Sequence, residues 1–313
     1  MEFGYHHSSF ATPDDRPAAE ALVDRAQRLE DDGFEWLTLM DHLWQLPFVG
    51  HKDEPFVECY TGLSAVAAAT DRMHLSGLVT CAHYRNPGYL AKTVSSLDAL
   101  SGGRAVLGIG AGWYEAEYDA IGIDYPPADE RIRQLRDQIE LCTAAWTEES
   151  PVSYEGEYYS LEDLYLEPKP DDIPILVGGG GEQLTLRVTA EYADWWNLPG
   201  VTPEEYQHKL DVLRGHCETA GRDYDEIDKT VTITTVIRDE TEAAHEAYEE
   251  LQSATDAETT PREEFRGLIG TPEEVAAGIE EYRELGVDRF QIGPPKNDPE
   301  TIDRFVDDVM DEI

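Results

Sequence analysis

Six separate stretches of this chain follow one pattern, in which a short apolar run breaks into glycine or polar residues and a helical segment follows. The runs end at Met40-Asp41-His42, Leu78-Val79-Thr80, Ile109-Gly110-Ala111-Gly112, Val177-Gly178-Gly179-Gly180-Gly181, Trp196-Asn197 and Ile292-Gly293. A parallel α/β barrel carries its chemistry at such places, because the carboxyl ends of its strands meet at one mouth. The pattern therefore predicts a (β/α)8 TIM barrel.

Eight strands complete this prediction, at residues 2–5, 36–40, 74–78, 105–109, 175–177, 194–198, 230–237 and 289–292. The 313 residues would hold two average domains, but a barrel of about 250 residues with insertions accounts for them as one domain, 1–313. We expect insertions near 43–55, 113–127 and 151–170. The last of these has the alternating pattern of a short β-hairpin.

Two helix starts carry strong local signals. Thr202-Pro203-Glu204-Glu205 and Thr271-Pro272-Glu273-Glu274 each place Thr at the N-cap, Pro at N1 and Glu at N3, which makes a capping box. A last helix is predicted over 299–313.

The chain carries 66 acidic and 24 basic residues, which gives a net charge of −42. This excludes a broad nucleic-acid surface, since phosphate binding needs concentrated positive charge. An acid excess with few lysines is typical of proteins from a salt-saturated cytoplasm, where salt screens the self-repulsion.

The cysteines and the apolar runs indicate where such a protein works. Cys59, Cys81, Cys142 and Cys217 lie far apart without a CxxC pair, which is typical of reduced cytosolic thiols. The first residues lack the pattern of a signal peptide, and no apolar run approaches about 18 residues. We therefore expect a cytoplasmic protein that does not span a membrane.

Two of the strand ends are rich in glycine. Gly178–Gly181 run directly into a helix, where a glycine backbone approaches a ligand closely and free N–H groups attract phosphate. Gly108–Gly112 form the second such end, and in a barrel both face the same mouth. The two ends together suit a long phosphorylated cofactor. Their spacing matches neither the Rossmann nor the P-loop pattern.

Asp41-His42 is the strongest candidate for catalysis, because a carboxylate beside an imidazole can tune its charge or orientation. Adjacent strand residues point to opposite faces, so one of the two should face the pocket. His83 is a second candidate, and His6-His7, placed just past the first strand, is open to a structural or a functional role. No cluster of metal-ligand spacing and no Gly-x-Ser-x-Gly motif occurs, so we expect neither a catalytic metal nor a serine nucleophile.

Several motifs occur in an order that resembles the luciferase-like monooxygenase superfamily, in particular its branch that uses the deazaflavin coenzyme F420. They are Leu39-Met40-Asp41-His42, Gly77-Leu78-Val79-Thr80, Tyr84-Arg85-Asn86-Pro87, Ser101-Gly102-Gly103-Arg104, Leu107 to Trp113 and Gly178 to Gly181. The likeness is dense from residue 1 to about 200. Beyond that it continues in the alternation of strands and helices and in Gly286-Val287-Asp288-Arg289-Phe290.

The resemblance implies a flavin-like ring at the barrel mouth, with Asp41 and His42 beside it. His42 would donate or accept a proton, and Asp41 would set the state of His42 or of the cofactor. A bulge, often with a non-proline cis peptide, backs the ring in such proteins and would fall at Gly77-Leu78. The residues implied in cofactor binding are Asp41, Gly77, Leu78, Thr80, Gly110, Ala111, Gly178, Gly179, Gly180, Gly181 and Asn197.

The function implied is an F420-dependent oxidoreductase that transfers hydride between the deazaflavin and a small organic substrate. Members that oxidise sugar phosphates carry Glu where this chain has Trp113, so we expect an apolar or aromatic substrate near Trp44, His83, Trp113 and Tyr114. The alternatives are an FMN-dependent monooxygenase that uses reduced flavin and oxygen, and a non-catalytic deazaflavin-binding protein. The resemblance also implies a homodimer.

Overall fold

The computed structural model describes residues 1–12, 16–258 and 260–313, and its centre is a closed ring of eight parallel strands. Strands β1 to β8 are, in chain order, Glu2–His7, Trp36–Leu39, His74–Gly77, Ala105–Gly110, Ile175–Gly178, Trp195–Pro199, Asp228–Ile237 and Arg289–Ile292. Each pairs in parallel with the next, and β8 closes on β1 with Phe290 opposite Phe3. The predicted (β/α)8 barrel is confirmed.

Ten helices lie in the described ranges. Helices α1 to α10 are Ala18–Asp31, Cys59–Ala67, Pro87–Ser101, Glu115–Ile121, Ala128–Thr147, Thr185–Tyr192, Pro203–Ala220, Thr241–Ser253, Pro272–Glu284 and Pro299–Arg304. Both predicted capping boxes are present, at Thr202 before α7 and at Thr271 before α9. None of these helices is long and apolar enough to cross a membrane.

The predicted hairpin is confirmed as the antiparallel strands Val152–Glu155 and Ser160–Leu164. Two local predictions were wrong. The pair His6-His7 belongs to β1 instead of following it. The helix predicted over 299–313 ends at Arg304, and the chain continues as a π-helical turn and a 3-10 turn. After β7, where no element was predicted, the chain forms α8 and a further strand, Gly267–Gly270, which pairs with β7.

Large side chains fill the barrel at the amino ends of its strands. Trp36 and Trp195 meet edge to face with ring centroids 5.9 Å apart, packed with Val106 and Leu176. Gly4 makes room for this packing, since a Cβ on it would lie 1.9 Å from the Trp36 indole nitrogen. Side chains of this kind turn the interior of a barrel into a packed core. The open volume therefore lies at the carboxyl ends.

Candidate active site

A cavity of about 900 Å³ opens at the carboxyl ends of the strands. Its wall includes the end of β2, the bulge after β3, the glycine-rich ends of β4 and β5, and α8. Cavities of this size, with a mostly apolar wall and a few polar groups, are typical of small-molecule sites. This cavity is the candidate active site.

Asp41, at the end of β2, is held by a partly buried arginine. Its Oδ2 accepts hydrogen bonds from Arg85 Nη1 at 2.7 Å and from the Cys81 backbone N–H at 2.9 Å, and its Oδ1 accepts one from Arg85 Nη2 at 2.8 Å. Arg85 also donates to Glu58 and stacks on Tyr60. Burial lowers the pKa of Arg85, but its bonds to Asp41 outweigh burial and raise that pKa above its ordinary value. Asp41 therefore ties β2 to the segment after β3.

His42 pairs with a different carboxylate, Glu117 of α4. Its Nδ1 lies 2.8 Å from Glu117 Oε2, and the carboxylate also accepts from the Leu43 backbone N–H at 2.6 Å and from the Tyr84 hydroxyl at 2.5 Å. Burial raises the pKa of Glu117, but hydrogen bonds from these groups and the charge of His42 outweigh it and hold that pKa below its ordinary value. An ionised carboxylate only accepts, so Nδ1 carries the proton. The free ring nitrogen is Nε2.

Aromatic rings surround His42 on the outer side of the cavity. The rings of Trp113 and Tyr114 stack with centroids 5.1 Å apart, and the imidazole meets them edge-on at 5.9 and 6.2 Å. The ring centroid of Phe48 lies 6.4 Å from that of Trp113. Half of the Trp113 surface, 55%, remains exposed, which leaves it able to contact a ligand. We call Phe48, Trp113 and Tyr114 the aromatic wall.

Another part of the cavity wall is built from backbone. A non-proline cis peptide joins Leu78 to Val79. It lies one peptide bond after Gly77-Leu78, the position that the resemblance implies. The Val79 side chain fits between two glycines, since a Cβ on Gly110 or on Gly178 would lie 2.7 Å from it. Gly179 has φ of +120°, a conformation that favours glycine. The ends of β4 and β5 therefore present bare backbone to the cavity.

A chain of polar side chains crosses the floor of the cavity. Asn197 donates to Thr232, Thr232 to Gln291, and Gln291 to Thr38, at 2.9 to 3.0 Å. Thr38 then lies 2.8 Å from Nδ1 of His6. Burial, together with the charge of nearby His42, lowers the pKa of His6 to about 4. His6 is therefore neutral near pH 7 and serves the cavity as a hydrogen-bonding group.

The family model described as luciferase-like monooxygenase matches residues 1–289 of the chain. The chain belongs to this family. A relative, the F420-dependent glucose-6-phosphate dehydrogenase of Kineococcus radiotolerans, is 28% identical over 323 residues, covering 95% of this chain and 92% of the relative. The FMNH2-dependent dimethylsulfone monooxygenase of Pseudomonas putida is 26% identical over 302 residues, covering 86% of this chain and 81% of the relative.

The luciferase-like fold also matches solved structures. An F420-dependent secondary alcohol dehydrogenase in complex with an F420-acetone adduct superposes with a TM-score of 0.82 over 98% of both chains, at 22% sequence identity. The F420-dependent tetrahydromethanopterin reductase of Methanopyrus kandleri superposes with a TM-score of 0.77 over 99% of both chains, at 20% sequence identity. At these identities the likeness describes the fold of this luciferase-like protein.

Most of the site residues predicted from the sequence line the cavity. They are Asp41, His42, Leu78, Gly110, Ala111, Trp113, Tyr114, Gly178, Gly179, Gly180, Gly181 and Asn197. Asp41 and His42 have separate partners, but both line the cavity, where strand alternation predicted one of them. The alternation does not apply because β2 ends at Leu39, before either residue.

Four predicted residues, Gly77, Thr80, His83 and Trp44, are not among the residues that line this cavity. Thr80 is buried with its hydroxyl 2.8 Å from that of Tyr60, and Gly77 faces Thr80 and α2. His83 is held by Gln134 and Tyr118. Trp44 packs against Tyr114 and lies under Lys52.

The sequence did not reveal Glu117, although it is the partner of His42. Glu115, Glu117 and Asp119 alternate along α4 and look alike in one sequence. A weak signal exists, because Glu117 lies three residues after Tyr114, the spacing that brings two side chains to one helix face. Only the fold brings that face against the end of β2.

The described residues fit a flat, phosphorylated cofactor of the flavin type. The cavity is large enough, and the glycine-rich ends of β4 and β5 form part of its wall. The wall also includes a buried guanidinium, Arg131, whose Nε has no hydrogen-bond partner among the described atoms. Such a set of groups suits a ring on one side and an anion on the other.

Proposed function

We propose that this protein is an F420-dependent oxidoreductase that acts on a small, uncharged organic substrate. The observation that carries the proposal is the pairing of His42 with buried Glu117 at a cavity that glycine backbone and aromatic rings both line. The relatives and structures that use F420 support the choice of cofactor. Leu78, Gly110, Ala111, Asn197 and Gly178 to Gly181 would hold it.

The deazaflavin, when bound, accepts or supplies a hydride at its C5 carbon. His42 handles the accompanying proton. In alcohol oxidation Nε2 takes the hydroxyl proton while the carbinol carbon gives up hydride, and in carbonyl reduction Nε2 returns the proton to the oxygen. Glu117 stabilises the imidazolium that forms in the first case and keeps Nδ1 protonated in both.

We expect Glu117→Gln to lower kcat by roughly 10- to 100-fold with little change in KM. The amide cannot stabilise an imidazolium as the carboxylate does, and a hydrogen bond to a charged group is worth about 1.5–3 kcal/mol. Steady-state kinetics would measure this split. Glu117→Asp should recover part of the loss.

Glu115→Gln is the matched control, since Glu115 lies two residues earlier in α4 and is exposed. It removes the same charge without touching His42, so its kcat should equal that of the wild type. Equal effects of the two variants would contradict a positioning role for Glu117.

The aromatic wall favours an apolar or aromatic substrate. Phe48, Trp113 and Tyr114 present flat apolar surface beside His42. Arg266, a cation on the cavity wall, is paired with Glu205. We therefore propose alcohols, ketones or enones with an apolar body as the substrate class.

Fluorescence titration of the purified protein in molar KCl, with F420 and with FMN, tests the choice of cofactor. Binding of F420 with micromolar or tighter affinity, together with much weaker binding of FMN, would support the proposal. The reverse preference would replace it with the FMN-dependent monooxygenase, which the Pseudomonas putida relative favours. Tight F420 binding without turnover on a broad panel of alcohols, enones and imines would favour a non-catalytic binding protein.

We further propose that the protein is adapted to concentrated salt and forms a homodimer. At a net charge of −42, exposed carboxylates repel one another unless salt screens them, and the screening length falls from about 10 Å at 0.1 M to about 3 Å at 1 M. We expect the thermal unfolding midpoint to fall between molar KCl and about 0.1 M. An unchanged midpoint would contradict the adaptation, and light scattering in the same buffers would give the assembly.

A further inference from the structure

Arg131 is a buried cation without a carboxylate partner. It lies in the first turns of α5, is 8% exposed, and lines the cavity together with Ala128 and Ile132. Its Nη1 donates to the Pro126 carbonyl oxygen at 2.6 Å, and its guanidinium stacks on Tyr125 at 4.0 Å. Its Nε has no hydrogen-bond partner, and no ion pair forms with it in the described parts of the chain.

Arg104, the other buried arginine of the described chain, also lacks a carboxylate partner, but all three of its nitrogens donate to protein oxygens. Arg131 differs from it in the unpartnered Nε. Buried charges in proteins are paired, because an unpaired one loses its hydration without compensation. Arg85 and Arg266, the other arginines near the cavity, are paired with Asp41 and Glu205. In a protein with 66 acidic residues, the lack of a carboxylate beside Arg131 points to an anion supplied by a ligand.

The surroundings of Arg131 identify the kind of anion. Tyr125, on which the guanidinium stacks, donates its hydroxyl to the Trp113 carbonyl oxygen at 2.9 Å, which ties Arg131 to the glycine-rich end of β4. The glycine-rich end of β5 lines the same cavity. A guanidinium and glycine-rich backbone that line one cavity are groups that bind phosphate oxygens.

We propose that Arg131 supplies the positive charge that binds the phosphate group of the cofactor. The inference rests on the proposed function for the identity of that cofactor. It assigns the charge to one side chain of α5, so that the glycine backbone positions the phosphate while Arg131 neutralises it.

Equilibrium binding to ligands with and without phosphate tests the proposal. F420 and FO share the deazaflavin ring and ribityl chain, and FO lacks the phosphate and the tail. We expect the wild type to bind F420 more tightly than FO, and Arg131→Gln to weaken F420 by roughly 10- to 100-fold while FO is unchanged. Arg131→Lys should retain part of the preference.

Arg133→Gln is the matched control, because Arg133 lies in the same helix, is exposed, and is paired with Asp129 and Glu157. It should leave both affinities unchanged. F420 without glutamate residues separates the phosphate from the tail carboxylates, and we expect it to behave like full F420. If it binds Arg131→Gln as well as it binds the wild type, the proposal is overturned.

Other outcomes of these binding measurements also test the proposal. Equal weakening of F420 and FO in Arg131→Gln, or an unchanged F420 affinity in a folded variant, would overturn the proposal. If the wild type binds FMN instead of F420, the proposed function fails, and Arg131 is then tested by FMN against riboflavin, which differ only in phosphate. A loss of that preference in Arg131→Gln supports the assignment, and binding of none of these ligands overturns it.

Discussion

Replacement of His42 by alanine should lower turnover by about 10²- to 10⁴-fold, because a positioned acid or base contributes that much to proton transfer. Nδ1 is committed to Glu117, and no other imidazole on the described cavity wall is arranged in this way: His6 is neutral, with Nδ1 facing Thr38. Single-turnover kinetics of hydride transfer would measure the loss directly. F420 affinity should be largely kept, since the glycine ends of β4 and β5 are intact.

His51→Ala serves as the control for this experiment. His51 lies in the loop at 43–55, is exposed, and pairs with Asp256 at 2.7 Å, so it is a histidine bound to a carboxylate away from the cavity wall. Its loss should leave turnover unchanged. Near-normal turnover in His42→Ala would remove His42 from the mechanism, and a parallel collapse of F420 binding would make it a binding residue instead.

The sequence predicted the parts of this fold that depend on local signals. Strand ends followed by helices fix the barrel, and the capping boxes at Thr202 and Thr271 need only four residues each. The glycine-rich ends were also recognisable, since bare backbone is encoded by glycine itself. These signals placed twelve predicted residues on the cavity wall.

The remaining features depend on contacts between distant residues. His83 is held by Gln134, 51 residues away, and Thr80 by Tyr60 of α2, so neither side chain is free to face the cavity. The acidic run in α8 is a sequence pattern typical of a solvent-exposed helix face, yet Tyr248 of that helix lines the cavity. Tertiary packing determines where these side chains lie and overrides the local sequence pattern.

The same reasoning changes the role of Asp41, which the resemblance placed beside the cofactor as a group that sets protonation. Both of its oxygens are occupied by Arg85 and the Cys81 N–H, and its side chain is 3% exposed. A carboxylate bound in this way positions the end of β2. We propose that Asp41 anchors the strand from which His42 projects.

We therefore expect Asp41→Ala to lower the free energy of unfolding by about 1.5–3 kcal/mol, since it removes charge-assisted hydrogen bonds and leaves the partly buried Arg85 with Glu58 as its one carboxylate partner among the described residues. Urea denaturation in molar KCl would measure it. Glu58→Gln is the matched control, because Glu58 binds the same guanidinium but is 49% exposed, and exposed pairs contribute about 1 kcal/mol or less. If the two variants are equally stable, Asp41 is not an anchor, and a weakened F420 affinity in Asp41→Ala would return it to the cofactor site.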